Sequence, residues 1–227
     1  MFEKNALVLL NKPTGMSSFL AVKRVKGILK ANKTGHMGTL DPLGTGLLIV
    51  GVNKATKEFD NYLNKKKTYV AVFHFGYTTD TLDSEGIITN KKECVITLND
   101  VLNVIPKFIG KQAQMPPDYS AKKINGKKAC DLAREGKAVE LKPKDIEIYN
   151  LRVLRDFGNN NFQFEIECSS GTYIRSLARD IAKELNTYGV MLSIIRTKCG
   201  EFDISQSCTL EDLEKGNFYY KEINYGK

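Results

Sequence analysis

The sequence is poor in the residues that build metal centres and disulfide frameworks. It contains only two histidines, His36 and His74, which disfavours a histidine-rich metal site. Its five cysteines are odd in number, and no two of them have the Cys-x-x-Cys spacing, so neither a disulfide scaffold nor a zinc site is indicated. We therefore expect reduced thiols in a cytoplasmic protein, with no bound metal.

Long hydrophobic runs are also lacking. The apolar stretch within residues 1–10 is too short for a signal peptide or a membrane span, and Asn11, Lys12 and Pro13 follow it directly. We expect no association with a membrane.

Positive charge is in excess. The chain carries 34 Lys and Arg against 26 Asp and Glu, a formal charge of +8 with a pI near 9.1. This balance fits a polyanionic partner such as nucleic acid, an anionic membrane or an acidic protein, and it equally fits a solvated basic surface. The basic residues concentrate in two clusters: Lys12, Lys23, Arg24, Lys26, Lys30 and Lys33, and then Lys111, Lys122, Lys123, Lys127 and Lys128.

Apolar periodicity predicts an irregular series of strands and helices. Strands are predicted at Leu7–Leu10, Leu47–Val52, Tyr69–Phe75 and Phe162–Cys168. Helices are predicted after a cap at Ser17 or Ser18, around Ala55–Leu63, at Leu98–Ile105, and after caps at Thr172 and Thr209. Residues 111–145 are lysine-rich and contain turn signals, which indicates a protruding basic segment around one short helix that Gly136 could end. Together these elements predict an α+β fold with a mixed, mostly antiparallel sheet.

The candidate catalytic residue lies in a glycine-rich stretch, residues 35–46. This stretch lacks the Lys and hydroxyl residue that end a P-loop, and a predicted helix precedes it where a dinucleotide fold has a strand. Asp41 precedes Pro42, which favours an extended backbone at Asp41. Taken locally, Asp41 is either a turn cap or a reactive carboxylate.

A cation near a helix start supports the reactive interpretation. Arg175 falls in the first turn of its predicted helix, where positive charge opposes the helix dipole. It is either a solvated residue or the partner of a carboxylate or phosphate, and such pairing would keep a nucleophilic aspartate ionised. Tyr69 and Tyr173 suit either core packing or stacking on a base. His36 suits either stacking and phosphate contact or a hydrogen-bonded loop position.

Six segments in order resemble the TruB family of tRNA pseudouridine synthases. The motif of residues 35–42, Gly-His-Met-Gly-Thr-Leu-Asp-Pro, is the most specific. The others are residues 10–18, 67–69, 79–86 and 168–177, and Arg196 with Gly200 and Phe202. Residues 116–136 resemble the RNA-gripping thumb of the family. The likeness extends over roughly residues 5–212, and several motifs in the right order are far more specific than one.

The resemblance implies a pseudouridine synthase fold with a thumb-like insertion at about 111–145. It also implies isomerisation of uridine 55 in the T loop of tRNA, without metal or cofactor, after the base is flipped out. Asp41 would be the nucleophile toward C1′ of the ribose or C6 of the base, Arg175 its partner, and Tyr69 would stack on the base and act in C5 deprotonation. The substrate-binding residues implied are His36, Tyr173, Gly38, Thr39, Lys12, Lys122, Lys127 and Lys128.

One departure from the family concerns the C-terminus. Most bacterial members continue into an RNA-binding domain of the PUA type, whereas here residues 213–227 are expected to form only a short tail after a catalytic domain at 1–212. We expect a monomer that needs no protein partner. The alternatives are a non-catalytic RNA-binding or tRNA-folding module, a guide-RNA-dependent catalytic subunit and an unrelated Asp-dependent hydrolase. A tRNA-folding role is compatible with catalysis.

Overall fold

The computed structural model describes residues 2–119, 123–124, 127–128 and 141–225, with backbone only for the two short middle ranges. Within these ranges the α-helices are α1 (Ser18–Leu29), α2 (Phe59–Leu63), α3 (Leu98–Val104), α4 (Ile174–Glu184) and α5 (Leu210–Glu214). The strands are β1 (Ala6–Lys12), β2 (Thr34–His36), β3 (Thr45–Val52), β4 (Lys67–Phe75), β5 (Tyr77–Thr79), β6 (Ile88–Lys91), β7 (Gly110–Gln114), β8 (Lys123–Ile124), β9 (Lys127–Lys128), β10 (Lys144–Gly158), β11 (Asn161–Cys168), β12 (Gly189–Cys199), β13 (Phe202–Asp203) and β14 (Tyr220–Glu222).

The chain divides into two compact units. The first unit comprises residues 1–70 and 194–227, and the second comprises residues 71–193. Strands β4 and β12 each carry the chain from one unit into the other. Among the described residues, no helix combines the length and the apolar composition that crossing a membrane requires.

The sheet of the first unit is mixed. Strand β1 pairs antiparallel with β3 from Ala6 opposite Val52 to Lys12 opposite Gly46, and its other edge pairs with β14. The start of β3 pairs in parallel with β12, and its end pairs antiparallel with β2. Both β2 and β12 therefore pair with the edge of β3 that does not pair with β1.

This sheet is covered on both faces, which explains why β1 and β3 are continuous apolar runs rather than alternating ones. On one face Val8 and Leu10 pack with Val22, Val25 and Leu29 of α1. Burying each of those helix side chains contributes on the order of 1.5–3 kcal/mol. On the other face the packed residues are Leu7, Leu9, Met37, Leu47, Ile49, Ala55, Tyr62, Cys199 and Phe202.

The segment expected to be a separate C-terminal tail is part of the first unit. Leu213 of α5 is buried, and Phe218 and Tyr220 pack against the cluster that holds α1. The predicted boundary at residue 212 is therefore not a boundary in the structure, because β14 extends the sheet beyond β1.

The second unit is built on the strand order β12–β4–β11–β10–β7. Strand β10 pairs antiparallel with both β11 and β7. Aromatic side chains of β4 and β11 pack in pairs, with Phe73 and Phe164 ring centroids 4.8 Å apart. Helix α4 buries Ile174, Leu177 and other apolar residues as its periodicity predicts.

The predicted protruding segment is shorter at both ends than residues 111–145. Residues 110–114 form β7 and pair with the first part of β10, so they belong to the main sheet of the second unit. Between them, β8 and β9 pair antiparallel across the dipeptide Asn125–Gly126. Residues 120–122, 125–126 and 129–140 lie outside the described residues, and so does the helix predicted there.

The predicted α+β class with a mixed sheet is confirmed, and local details are corrected. Residues 53–63 form a 3-10 helix followed by the short α2, and Phe59 of the predicted apolar face is exposed. Thr172 does not cap α4. Its hydroxyl donates to the Ser169 carbonyl at 3.0 Å, and Tyr173 occupies the N-cap position without a side-chain cap bond.

Candidate active site

Asp41 lies in the loop of residues 37–44 that joins β2 to β3, here called the Asp41 loop. The Met37 N–H still donates to the Ile49 carbonyl at 2.9 Å, after which the chain leaves the sheet. The Gly44 N–H donates to the Asp41 carbonyl at 3.0 Å and closes a tight turn. The Asp41 residue is half-buried. It is also the sole acidic residue between Glu3 and Glu58.

The first residue of α1 and the segment before it hold the backbone on both sides of Asp41. The Ser18 hydroxyl accepts a hydrogen bond from the Leu40 N–H at 2.8 Å and donates to the Leu40 carbonyl at 2.9 Å. The Gly15 N–H donates to the Pro42 carbonyl at 2.9 Å. Because its two neighbours are fixed through main-chain atoms, Asp41 is presented from a rigid backbone.

Three buried cations also hold this region: Lys12, Lys67 and Arg196 are 0%, 4% and 1% exposed. Arg196 donates from Nε to the Leu47 carbonyl at 2.7 Å and from Nη2 to the Gly38 carbonyl at 3.2 Å. Gly38 has a φ of +104°, which a residue with a side chain rarely adopts. Arg196 therefore ties the start of the Asp41 loop to strand β3, which follows the loop.

Lys12 has a different role from the substrate contact predicted for it. Its ammonium group donates to the carbonyls of Pro13 at 2.9 Å, Met16 at 2.5 Å and Pro42 at 3.3 Å. Full burial keeps this ammonium away from solvent and from a phosphate of an RNA that lies on the surface. Lys12 joins the end of β1 to the residue after Asp41, so it positions the loop.

Lys67 and Tyr69 lie on the same buried face of β4. The Lys67 ammonium donates to the carbonyls of Tyr62 at 3.2 Å, Leu63, and Lys65 at 2.6 Å. A methyl group built on Gly38 would lie 4.0 Å from its Cε, so the start of β4 adjoins the Asp41 loop. Tyr69 follows two residues later and is 9% exposed.

His36, at the end of β2, is a neutral ring at pH 7. Burial lowers its pKa from 6.5, and the charge of Arg196 lowers it further. Its Nδ1 is buried and has no hydrogen-bond partner in the described part of the chain. Of the two functional roles considered for His36, stacking fits a neutral imidazole and a charged contact with phosphate does not.

In the second unit, Arg175 is held in the first helical turn by three acceptors. Its Nη1 donates to the Thr81 carbonyl at 2.7 Å and its Nη2 to the Tyr119 carbonyl at 3.0 Å. The Asp83 carboxylate is its ion-pair partner in this unit at 3.7 Å, and both side chains are 7% exposed. The predicted pairing of Arg175 with Asp41 stays a prediction.

A turn of hydroxyl and acidic residues presents Asp83 to Arg175. The Thr81 hydroxyl and the Glu85 N–H donate to the Asp83 carboxylate at 2.6 and 3.1 Å. The Thr79 hydroxyl donates to the Asp83 carbonyl at 2.6 Å. Oδ1 of the buried Asp83 carboxylate thus accepts two hydrogen bonds, and Oδ2 faces Arg175 at 3.7 Å. These contacts offset the penalty of burying the charge.

The remaining predicted site residues differ in how far they are described. Gln114 exchanges two hydrogen bonds with the Tyr173 backbone, at 2.8 and 3.1 Å, which fixes the start of α4. Thr39 is exposed in the Asp41 loop. Lys122 lies outside the described residues, and Lys127 and Lys128 form β9, whose side chains are not described.

Three positioning residues were not among the predicted site residues. Lys67 interrupts the otherwise apolar face of a period-two strand, which is a detectable sign of a buried cation. Asp83 and Arg196 lie in the family motifs, but Asp83 pairs with the distant Arg175 side chain and Arg196 bonds to distant main-chain carbonyls. No local pattern reports such contacts. Within the described ranges, no three His, Cys, Asp or Glu side chains are grouped so as to hold a metal ion.

Comparison with known proteins points to the same family as the motifs do. The family model described as TruB family pseudouridylate synthase (N terminal domain) matches residues 26–174. The tRNA pseudouridine synthase B of Aquifex aeolicus is 43% identical over 207 residues, which cover 91% of this chain and 72% of that protein. The protein of the same name from Endomicrobium trichonymphae is 40% identical over 220 residues, which cover 96% of this chain and 95% of that one.

A solved structure shows the same fold. One chain in the crystal structure of a Cbf5–Nop10–Gar1 complex superposes with a TM-score of 0.75 at 29% identity, covering 95% of this chain and 55% of that chain. This chain thus spans about half the length of the solved chain. The ordered motifs, the fold and the family match agree, and this chain belongs to the TruB family of pseudouridylate synthases.

Proposed function

We propose that this chain isomerises a uridine of tRNA to pseudouridine, at position 55 of the T loop, and does so in the cytoplasm. The observation that carries the proposal is the Asp41 loop, in which a half-buried carboxylate stands on a backbone fixed by Ser18, Lys12 and Arg196. The names of the relatives from Aquifex and Endomicrobium support tRNA as the substrate.

The reaction exchanges one glycosidic bond for another. The base first leaves the loop stack, because its glycosidic bond is otherwise out of reach. Asp41 attacks C1′ or C6, the bond from N1 to C1′ breaks, and the base turns and rejoins C1′ through C5. The bond between Asp41 and the substrate breaks in turn, which regenerates the carboxylate. C5 then loses its proton and N1 gains one, so product and substrate have the same composition. In this scheme Tyr69 stacks on the base and acts in C5 deprotonation.

The Asp41→Asn variant tests the assignment of the nucleophile. With a T stem-loop RNA tritiated at uracil C5, wild-type protein is expected to release tritium, and Asp41→Asn is expected to lower release at least a thousandfold. Removing the covalent nucleophile leaves only binding and electrostatic effects, which is why the loss is large.

Asp60→Asn is the matched control, because Asp60 is an exposed carboxylate of the same unit. It should release tritium at the wild-type rate. Normal turnover by Asp41→Asn would show that another group is the nucleophile. No release by wild type from either the stem-loop or full-length tRNA would overturn the proposed reaction.

A further inference from the structure

Helix α1 has an outer face that the reaction at Asp41 does not use. Phe19, Lys23, Lys26 and Lys30 recur at intervals of four, three and four residues, so they line one stripe of the helix. The stripe extends for about 16 Å at 1.5 Å per residue. Opposite it, Ala21, Val22, Val25 and Leu29 are buried in the core. We call this stripe the α1 outer face.

The cations of this face are exposed and have no acidic partners. Residues 4–40 contain no Asp or Glu, so α1 and its flanks supply no counter-ion. In the part of the chain that the structure describes, Lys23, Lys26 and Lys30 are exposed, and none of them lies within ion-pairing distance of a carboxylate. Like charges three and four residues apart destabilise a helix, so this spacing is unfavourable for α1 itself.

An aromatic ring stands at the end of the stripe that is nearest Asp41. Phe19 is 75% exposed, so its ring is open to a ligand. It directly follows Ser18, whose hydroxyl exchanges two hydrogen bonds with Leu40, the residue before Asp41. The stripe therefore starts beside the Asp41 loop and leads away from it.

We propose that the α1 outer face binds the RNA substrate outside the nucleotides that enter the active site. Lys23, Lys26 and Lys30 contact successive phosphates, and Phe19 stacks on an unpaired base. One aromatic platform next to a line of unpaired cations is the combination that proteins use to hold a nucleic-acid strand. The inference rests on the proposed function only in that both name an RNA substrate.

The first test compares two triple variants that each remove three exposed cations. Lys23→Ala/Lys26→Ala/Lys30→Ala alters the α1 outer face, and Lys57→Ala/Lys91→Ala/Lys183→Ala is the control, whose residues are also exposed and unpaired. Binding to full-length tRNA transcript and to the isolated T stem-loop is measured from 50 to 300 mM KCl. Each phosphate contact contributes about 0.7–0.9 to the slope of log affinity against log salt.

For the α1 variant we expect the slope for tRNA to fall by about 2 and the Kd at 100 mM salt to rise at least tenfold. The control should shift the slope by less than half as much. Both triple variants should melt within a few degrees of wild type, because all six side chains are exposed. Equal slopes for the two variants would overturn the proposal.

The second test separates stacking from a general apolar contact. Phe19→Leu removes the aromatic face and should weaken tRNA binding about tenfold, in line with the contribution of one stacked base. Phe19→Tyr retains the ring and should bind as wild type does. Wild-type affinity in Phe19→Leu, or equal loss in both variants, would show that Phe19 does not stack.

A third measurement tests whether the α1 outer face binds an anionic membrane instead of RNA. Vesicles of phosphatidylcholine with and without phosphatidylserine are tested with wild type and the α1 variant, and neither is expected to bind. Vesicle binding that the α1 variant loses, together with unchanged tRNA binding, would identify a membrane as the ligand and overturn the proposal. Because binding is read without turnover, a wild type that binds tRNA through α1 but releases no tritium would refute only the proposed reaction.

Discussion

At the scale of single residues, lysines of the same sequence cluster differ in burial and in what they contact. Lys12 is fully buried and holds the backbone beside Asp41, whereas Lys23 is exposed and unpaired. Both belong to the same basic cluster of the sequence. The motifs single out Asp41, Tyr69 and Arg175, whose catalytic roles stay predictions. Burial and acceptor identity depend on residues distant in sequence, so they could not be predicted.

The ion pair of Asp83 and Arg175 gives a prediction at this scale. Asp83→Ala leaves the buried Arg175 guanidinium without its carboxylate partner in the second unit. Breaking a buried pair from one side is expected to lower the free energy of unfolding by about 3 kcal/mol. Urea denaturation measures the loss.

Glu85→Ala is the control for Asp83→Ala, because Glu85 is an exposed carboxylate of the same turn. It should change the free energy of unfolding by no more than about 0.5 kcal/mol. If the two variants were equally stable, the Asp83 carboxylate would have no role in holding Arg175.

At the scale of elements, segments with a regular apolar and polar face were predictable. A long strand with a broken apolar pattern was not. The start of helix α1 and both ends of strand β11 were predicted to within one residue, because each element has one apolar and one polar face. The long strand β10 was not predicted, since most of its second half is exposed and its apolar pattern is broken by irregular pairing with β11. The cap at Thr172 was wrong because that hydroxyl is used inside the preceding turn.

Two glycines give a paired prediction at this scale. Gly27 lies within α1 and a methyl group there would meet nothing within 4 Å, so Gly27→Ala should stabilise the protein by about 0.4–1 kcal/mol. Gly46 has a φ of +95°, and a methyl group there would lie 2.4 Å from the Arg196 carbonyl oxygen. Gly46→Ala should therefore destabilise the protein by more than about 1 kcal/mol.

Thermal unfolding of both glycine variants checks this pair. The melting temperature should rise for Gly27→Ala and fall for Gly46→Ala. A fall in Gly27→Ala would mean that the outer side of α1 contacts other parts of the chain.

At the scale of the whole molecule, the family motifs predicted the fold class but not the division of the chain. A continuous catalytic domain ending at residue 212 was expected. In the structure the first unit takes residues from both ends of the chain, with β14 paired to β1. Residues 218–222 are too few to show a hydrophobic periodicity, so the sequence did not indicate β14.

Truncation after Asp212 tests the role of the C-terminal residues. It removes the end of α5 and all of β14, which uncovers the edge of β1 and takes Leu213 and Tyr220 out of the core cluster. We expect a fall in melting temperature of at least about 5 °C, from the loss of more than one buried side chain. Truncation after Tyr225 retains both elements and should melt as the full chain does. Equal melting of the two truncated proteins would show that β14 adds no stability.

The buried lysines also have a consequence for chemical reactivity. An amine-directed reagent modifies the solvent-accessible ammonium groups of a folded protein, so Lys12 and Lys67 should resist acylation while Lys23, Lys26 and Lys30 react quickly. Lys12 becomes accessible only when the carbonyls that it binds are released, and one of these belongs to Pro42, next to Asp41. Labelling of Lys12 therefore reports opening of the Asp41 loop, whereas labelling of Lys67 reports opening of the turn at residues 62–65.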